Sequence, residues 1–233
     1  MTGSVQTEKG GILLISTLIA VPCMDMVHTG FVKSLMSMRL SNDSASAFVQ
    51  GTLIYEARNL IAKNAISCGF DRVLWLDSDM IIPPDAMARL SEDMDTGMDF
   101  VSAMYYRRRP PANPVICDKV KWFVHDDGNV ETECSSYINY PENQVFEIAG
   151  AGFGCVMTSV DLLKEVVDKY GSPFTPMMGM GEDIAFCWRV TQMGRKMYCD
   201  SRIKCGHIGQ KVFDVKDFEV VKHGGQKEDS GKG

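Results

Sequence analysis

Two aspartates separated by one residue are the strongest candidates for chemistry in the chain. Asp77 and Asp79 follow the apolar run of residues 73–76, which is typical of a strand buried on both faces. Ligands of open α/β sheets bind at the carboxyl ends of strands, and residues two apart in extended chain point to the same side. The pattern predicts a Mg²⁺ or Mn²⁺ site shared with substrate phosphates. The alternative is that one aspartate caps the next helix and the other is solvated.

A second acidic pair and a late histidine are further candidates. Glu182 and Asp183 follow a glycine-rich loop and begin a predicted helix, and stabilisation of that helix N-terminus would by itself explain them. His207 lies in the segment Cys-Gly-His-Ile-Gly, residues 205–209. A lone histidine is more often structural than a ligand, so its spacing alone assigns it no role.

The elements that position these residues follow from hydrophobic periodicity. The first half predicts strand, helix, strand, helix, strand at residues 12–21, 51–67, 73–76, 83–90 and 100–104. That order favours a parallel sheet with helices on its faces. The second half predicts short strands at 115–117, 121–125, 130–133, 144–148 and 155–158, with helices at 160–169 and 182–193. We therefore expect one domain, residues 11–222, with an α/β first half and an α+β second half.

Two kinds of segment lack periodicity. Residues 1–10 and 223–233 are polar and glycine-rich and are predicted to be flexible tails. Residues 170–181 carry three glycines and two prolines, so their order must come from contacts, and we expect this loop to close over a bound ligand.

Composition excludes several classes. The chain has 233 residues, 45% hydrophobic and 23% charged, which excludes disordered, collagen-like and coiled-coil proteins. Its net charge of −6 gives no general attraction to nucleic acid or an anionic membrane. No run is long enough for a transmembrane segment. Eight cysteines without a C-x-x-C pair indicate a reducing, cytoplasmic compartment.

The segments around these candidates resemble a known family. The segment 74–85, Leu-Trp-Leu-Asp-Ser-Asp-Met-Ile-Ile-Pro-Pro-Asp, resembles the D-x-D segment of GT-A glycosyltransferases, especially the small family-2-like enzymes of bacteria and phages. The resemblance continues, in the family's order, at residues 57–59, 150–154, 181–187 and 205–209. It implies an α/β, Rossmann-like GT-A domain with a mixed central sheet, in the cytoplasm of a bacterium or a phage-infected host cell.

The resemblance also implies catalytic and metal-binding roles. Asp77 and Asp79 would hold Mn²⁺ or Mg²⁺ on the diphosphate of a sugar nucleotide, with Asp79 as the direct ligand and His207 as a third ligand. A dication stabilises the charge that develops on the leaving diphosphate. Glu182 and Asp183 would face the acceptor, and Asp183 is favoured as the general base of an inverting reaction.

Donor contacts are implied elsewhere on the same sheet edge. Gly150 and Gly152 would let backbone approach the donor sugar, although a tight turn would also use them. Arg58 would point to the nucleotide, with a solvated helix face as the alternative. The remaining expected donor contacts are Pro22, Asp25, Asp77 and Ser78. The basic run 107–109 would meet phosphates or be solvated surface.

The predicted activity is hexosyl transfer from a nucleotide-diphosphate sugar to a hydroxyl acceptor, a glycan or small molecule. A nucleotidyltransferase is one alternative, but residues 22–30 lack its glycine-rich phosphate loop. A catalytically inactive nucleotide- or carbohydrate-binding module is another, although the acidic groups are present. A nucleic acid acceptor is possible but not favoured at this net charge.

Overall fold

A mixed sheet forms the centre of the protein. The computed structural model describes residues 15–209 and 212–224. Within them strands and helices alternate along most of the first half, and a run of consecutive strands follows. The strands are β1 (Thr17–Cys23), β2 (Ser44–Gln50), β3 (Arg72–Leu76), β4 (Met80–Ile81), β5 (Phe100–Met104), β6 (Ile116–Val124), β7 (Val130–Ser136), β8 (Val145–Ile148), β9 (Gly150–Ala151), β10 (Cys155–Ser159), β11 (Met197–Lys204), β12 (Gly206–Ile208) and β13 (Val212–Phe213).

Helices cover both faces of the sheet. They are α1 (Thr29–Ser37), α2 (Ile54–Cys68), α3 (Ala86–Asp95), α4 (Val160–Tyr170), α5 (Glu182–Gln192) and α6 (Val215–Gly224). None of the helices in the described part of the chain has the length and apolar character needed to cross a bilayer.

The sheet order is β2-β1-β3-β10-β5-β11-β8. β1 is parallel to β2 and β3, and β11 is parallel to β5. β10 runs antiparallel between β3 and β5, and β8 is antiparallel to β11 at one edge. The predicted mixed central sheet is confirmed, but the parallel order expected of the first half is interrupted, because β10 from the second half separates β3 from β5.

Strand β3 is buried on both faces, as its apolar run predicts. Trp75 packs on one face with Phe153 and Phe174, and Leu74 lies in the cluster on the other face. The Trp75 indole N–H is satisfied inside the core by the Thr158 hydroxyl at 3.0 Å. This double burial fixes the end of β3, and therefore the position of Asp77, against the rest of the domain.

Several elements differ from the expectations. α1, β2, β11 and α6 are present where no element was predicted. β1 begins at Thr17, and residues 12–14 of the predicted first strand lie outside the described part of the chain. The predicted tail 223–233 is wrong at its start, since α6 continues through residue 224 and packs through Phe218 on Tyr106. Residues 1–10 and 225–233 lie outside the described residues.

The cysteines also differ from the expectation of unpaired thiols. Cys117 and Cys134 form a disulfide between β6 and β7, with Cα atoms 6.1 Å apart. The other six are free, and all but Cys68 are buried. Those five are small core hydrophobes, as buried free cysteines commonly are.

Candidate functional site at the strand ends

Five parallel strands end at one edge of the sheet. The strands β1, β2, β3, β5 and β11 run in the same direction, so their carboxyl ends lie at the same edge, and the amino end of β10 meets them there. Asp77 follows β3, and its backbone N–H donates to the Gly154 carbonyl, 3.1 Å away, at the start of β10. His207 follows β11 on β12. The topology therefore brings residues that are distant in sequence to one place, which we call the strand-end site.

Asp77 is held by an arginine from α2. The Arg58 guanidinium donates to Asp77 Oδ1 at 2.7 Å and to Glu182 Oε1 at 2.5 Å. This single side chain joins the end of β3 to the start of α5. The arrangement brings Asp77 and Glu182 of the two acidic pairs together, which their separation in sequence does not reveal.

Arg58 itself is buried, with 2% of its surface exposed. Its guanidinium lies 5.4 Å from the centre of the Phe153 ring, and within the described residues its Nε has no hydrogen-bond partner. Burial lowers the pKa of this group, but Asp77, Glu182 and Asp183 outweigh burial and raise the pKa above its usual value. Arg58 is therefore not on a solvated helix face, and it lies behind the carboxylates rather than among the residues lining the cleft described below.

Asp79 has different partners from Asp77. His207 Nε2 lies 3.5 Å from Asp79 Oδ2, and His207 Nδ1 lies 2.8 Å from the Tyr106 carbonyl. A carbonyl only accepts, so Nδ1 carries a proton and Nε2 faces the carboxylate. Burial raises the pKa of Asp79, but the His207 and Arg108 contacts bring it below its usual value. Burial lowers the pKa of His207, but Asp79 and the Tyr106 carbonyl raise it overall.

Arg108 completes the surroundings of Asp79. It comes from the basic run 107–109, and its guanidinium donates to Asp79 Oδ2. The Arg108 side chain is 59% exposed and Asp79 is 26% exposed. This part of the basic run is therefore neither remote from the site nor simply solvated.

Asp183 has the raised pKa expected of a proton acceptor near neutral pH. Burial and the neighbouring Glu182 charge raise the pKa of Asp183 to about 6, while Arg58 opposes them. Its Oδ1 accepts the Ile184 backbone N–H at 2.7 Å, in the first turn of α5. The carboxylate therefore also serves the helix start, so both functions proposed for it from the sequence are compatible with its position.

The glycines of segment 150–154 are required by side-chain packing. A Cβ on Gly152 would lie 2.4 Å from the Tyr105 hydroxyl and 2.7 Å from Val115, and one on Gly150 would lie 3.0 Å from Val120. Neither glycine has a positive φ, so neither is explained by a tight turn. Tyr105 uses the space to accept the Gly154 N–H at 3.0 Å. The space at Gly152 is thus filled by protein atoms rather than left open to a ligand.

A cleft of about 400 Å³ opens at this edge. Of the predicted donor residues, Pro22, Asp77 and Ser78 line it, together with Asp79 and Arg108. Asp25 is exposed and is not among the lining residues, whereas its neighbours are. The other lining residues, none of which was predicted as a donor contact, are Cys23, Met24, Met26, His28, Thr52, Ile54 and Ala57.

The loop 170–181 is held by hydrogen bonds in its first half and near its end. Phe174 is buried and its N–H donates to Asn59, while Arg189 donates to the carbonyls of Pro173 and Thr175 at 2.8 and 2.6 Å. Near Asp183, Trp122 on β6 donates to the Met178 carbonyl at 3.0 Å. Contacts order this loop, as expected for so many glycines and prolines. Its closure over a ligand stays a prediction.

Asp79 and His207 fit a divalent cation shared with a phosphate ligand. The described residues contain no group of three or more His, Cys, Asp or Glu side chains arranged around a common ion position. Histidine metal ligands commonly donate their other ring N–H to a carbonyl or carboxylate, as His207 does to Tyr106. Loss of the Nε2 proton would direct a lone pair of His207 towards Asp79 Oδ2, so the two side chains would then face one cation position. Phosphate oxygens would have to supply further ligands, which suits Mn²⁺ or Mg²⁺.

Comparison with known proteins supports the architecture. No protein-family model matches the chain, and no curated protein matches it by sequence. The crystal structure of A197 from STIV is similar, with a TM-score of 0.61 at 18% sequence identity over 84% of this chain and 86% of that one. At this identity the likeness concerns the fold alone. The chain therefore shares a mixed α/β single-domain architecture with that protein.

Proposed function

We propose that the protein is a metal-dependent glycosyltransferase of the GT-A type, which transfers a hexose from a nucleotide-diphosphate sugar to a hydroxyl acceptor. The observation that carries the proposal is the Asp79–His207 pair, with His207 Nε2 directed at Asp79 beside the cleft and Nδ1 held by Tyr106. Two protein ligands leave a cation free to take oxygens from a diphosphate. The order of sequence motifs described above and the mixed α/β architecture agree with this assignment.

The cleft has an apolar wall and an acidic end, and a nucleotide sugar bound with a cation needs both. Met24, Met26 and Ile54 give it an apolar wall suited to a base, and Asp77 and Asp79 lie at its acidic end. A bound Mn²⁺ or Mg²⁺ at Asp79 and His207 would neutralise charge on the leaving diphosphate. The donor would therefore lie with its base at the carboxyl end of β1 and its diphosphate at the end of β3.

The acceptor would be activated at the start of α5. Asp183, with a pKa of about 6, is mainly ionised at pH 7 and can accept the proton of an attacking hydroxyl. Arg58 pairs with both Glu182 and Asp77 and so keeps the acceptor and donor sides of the site in a fixed relative position. Held geometry of this kind lowers the entropic part of the barrier.

A donor screen tests the proposal. The purified protein is heated with several nucleotide sugars and excess Mn²⁺, and a ligand that binds the folded state raises the melting temperature. We expect one class of nucleotide sugar to do so, and only with the metal present. The same donor should then release its nucleoside diphosphate when acceptors are added.

Three results would exclude the proposal. Pyrophosphate release from a nucleoside triphosphate and a sugar phosphate would indicate a nucleotidyltransferase. Metal-dependent binding without turnover over a broad acceptor set would indicate a binding module. The absence of any metal-dependent ligand would exclude both catalytic assignments.

A further inference from the structure

Arg108 pairs with the carboxylate oxygen that a cation at this site would need. Its guanidinium donates to Asp79 Oδ2, the same atom that lies 3.5 Å from His207 Nε2. A guanidinium and a dication repel each other at such short range. Arg108 and a metal ion therefore compete for this oxygen.

The loop that carries Arg108 is fixed at its base. Tyr106 bridges to Pro114, and the Arg107 N–H donates to the Asn113 carbonyl at 2.9 Å. The Tyr106 carbonyl also holds His207 Nδ1. The Arg108 backbone is thus held close to both proposed metal ligands, while its side chain is 59% exposed and borders solvent.

We propose that Arg108 neutralises Asp79 in the free protein and transfers to the donor's diphosphate when a divalent cation takes Asp79 and His207. The proposal rests on the proposed function, and it adds a positioning residue and a binding order to it. No covalent change is involved, since one ion pair is exchanged for another.

The surroundings favour phosphate as the second partner of Arg108. Asp77, the other carboxylate that lines the cleft, is already paired with Arg58. Arg108 lines the cleft together with Asp77, Ser78 and Asp79, so a displaced guanidinium remains beside the diphosphate position. The planar fork of arginine matches phosphate oxygens in pairs.

Mn²⁺ binding in the absence of nucleotide tests the first half of the exchange. The free Mn²⁺ signal in electron paramagnetic resonance gives the affinity of the full-length protein directly. We expect Arg108→Gln to bind Mn²⁺ about three- to tenfold more tightly than the unaltered protein, because the competing cation is gone. Arg109→Gln is the matched control: it removes the same charge from the same loop, at an exposed side chain.

Pyrophosphate binding at a fixed excess of Mn²⁺ tests the second half. Calorimetry should show about tenfold weaker binding by Arg108→Gln, the loss expected for a charge-assisted contact. Arg109→Gln should change both affinities by less than about twofold, and similar melting temperatures for the two variants would show that both remain folded.

The outcomes separate this inference from the proposed function. Equal effects of the two variants, or a change in only one of the two affinities of Arg108→Gln, would overturn the exchange. If both shifts occur but no donor is turned over, the exchange is supported and the transferase assignment fails. If sugar transfer occurs but Arg108→Gln binds Mn²⁺ with the same affinity as the unaltered protein, only the exchange fails.

Discussion

Two clusters of aspartate and arginine in this protein are built in opposite ways. In the strand-end site the arginine is buried and the carboxylates face a cleft, since Arg58 is 3% exposed at its side chain and Asp77 is 30% exposed. In the second cluster, formed by Asp93 of α3 with Asp200 and Arg202 of β11, the carboxylates are buried. The Asp200 side chain is 0% exposed, whereas that of Arg202 is 44% exposed.

The charged side chains of the second cluster pair with one another. Arg202 donates to Asp200 at 2.8 Å and to Asp93 at 3.0 Å, and Asp93 Oδ2 is buried without a partner among the described residues. Burial and the Asp200 charge raise the pKa of Asp93 to about 6, although Arg202 opposes them. No lining residue of the strand-end cleft belongs to this cluster. We therefore assign it a structural role.

The comparison shows what distinguishes a binding arrangement from a structural one in the same domain. A buried cation behind carboxylates leaves those carboxylates partly exposed at the cleft, which suits a cationic or metal-bridged ligand. Buried carboxylates under an exposed cation have no free face for a ligand. Raised aspartate pKa values occur in both clusters, so such a shift alone does not identify the site.

The largest effect is expected from removing the proposed base. Asp183→Asn should lower turnover by about 10² or more and leave donor affinity nearly unchanged, because base catalysis commonly contributes 10² to 10⁴. Steady-state kinetics with the donor found in the screen provide the measurement. In the unaltered protein, turnover should fall as the pH drops through about 6, where Asp183 becomes protonated. Turnover of Asp183→Asn equal to that of the unaltered protein would return Asp183 to a role in helix α5 alone.

The next effect concerns the buried cation of the strand-end site. Arg58→Met should lower the free energy of unfolding by roughly 3 kcal/mol, because Asp77 and Glu182 lose their shared partner. Urea denaturation measures this. Arg89→Met is the control, since Arg89 of α3 forms an exposed pair with Asp85, the residue before that helix, and its loss should cost less than about 1 kcal/mol. Equal losses in the two variants would mean that Arg58 does not join the two halves of the site.

Part of this site could be predicted from the sequence, since its signal is local. Residues 73–76 form an uninterrupted apolar run, which places Asp77 at a strand end. Helix α5 could be predicted in the same way, because apolar periodicity begins directly after Asp183. The pairing of Arg58 with Asp77 and Glu182 could not be predicted from the sequence, since it depends on how α2 packs. The one available signal was its position within the apolar face of that helix, where an arginine needs a buried partner.

The strands that could not be predicted from the sequence have weak or misleading local patterns. β2 is an edge strand with little burial, and its first four residues are only serine and alanine, so its apolar signal is weak. β11 contains Asp200, Ser201 and Arg202 in consecutive positions, which is untypical of a central strand. Their polar groups are satisfied by Asp93, Pro141 and Gln144, and only the tertiary structure supplies these partners. The antiparallel insertion of β10 likewise depends on long-range pairing.

The smallest effect on stability is expected in the second cluster. Asp93→Asn should raise the free energy of unfolding by about 1 kcal/mol at pH 7.5, because the amide resembles the protonated acid that burial favours. The raised pKa of Asp93 means that its stabilising, protonated form is present below about pH 4 and is lost as the pH rises through about 6. The gain should therefore vanish near pH 4 when melting is followed across this range. A gain that does not depend on pH, or a loss at pH 7.5, would contradict the assignment.

Calorimetric titration of the donor's nucleoside diphosphate, with excess Mn²⁺ and with excess EDTA, tests the transferase proposal most directly. The unaltered protein and the Asp93→Asn control should bind it at least about tenfold more tightly with Mn²⁺. Asp79→Asn should bind it weakly and equally under both conditions, while melting at nearly the same temperature as the unaltered protein. Equal affinity of the unaltered protein with Mn²⁺ and with EDTA, or full metal dependence in Asp79→Asn, would contradict a metal site at Asp79 and His207.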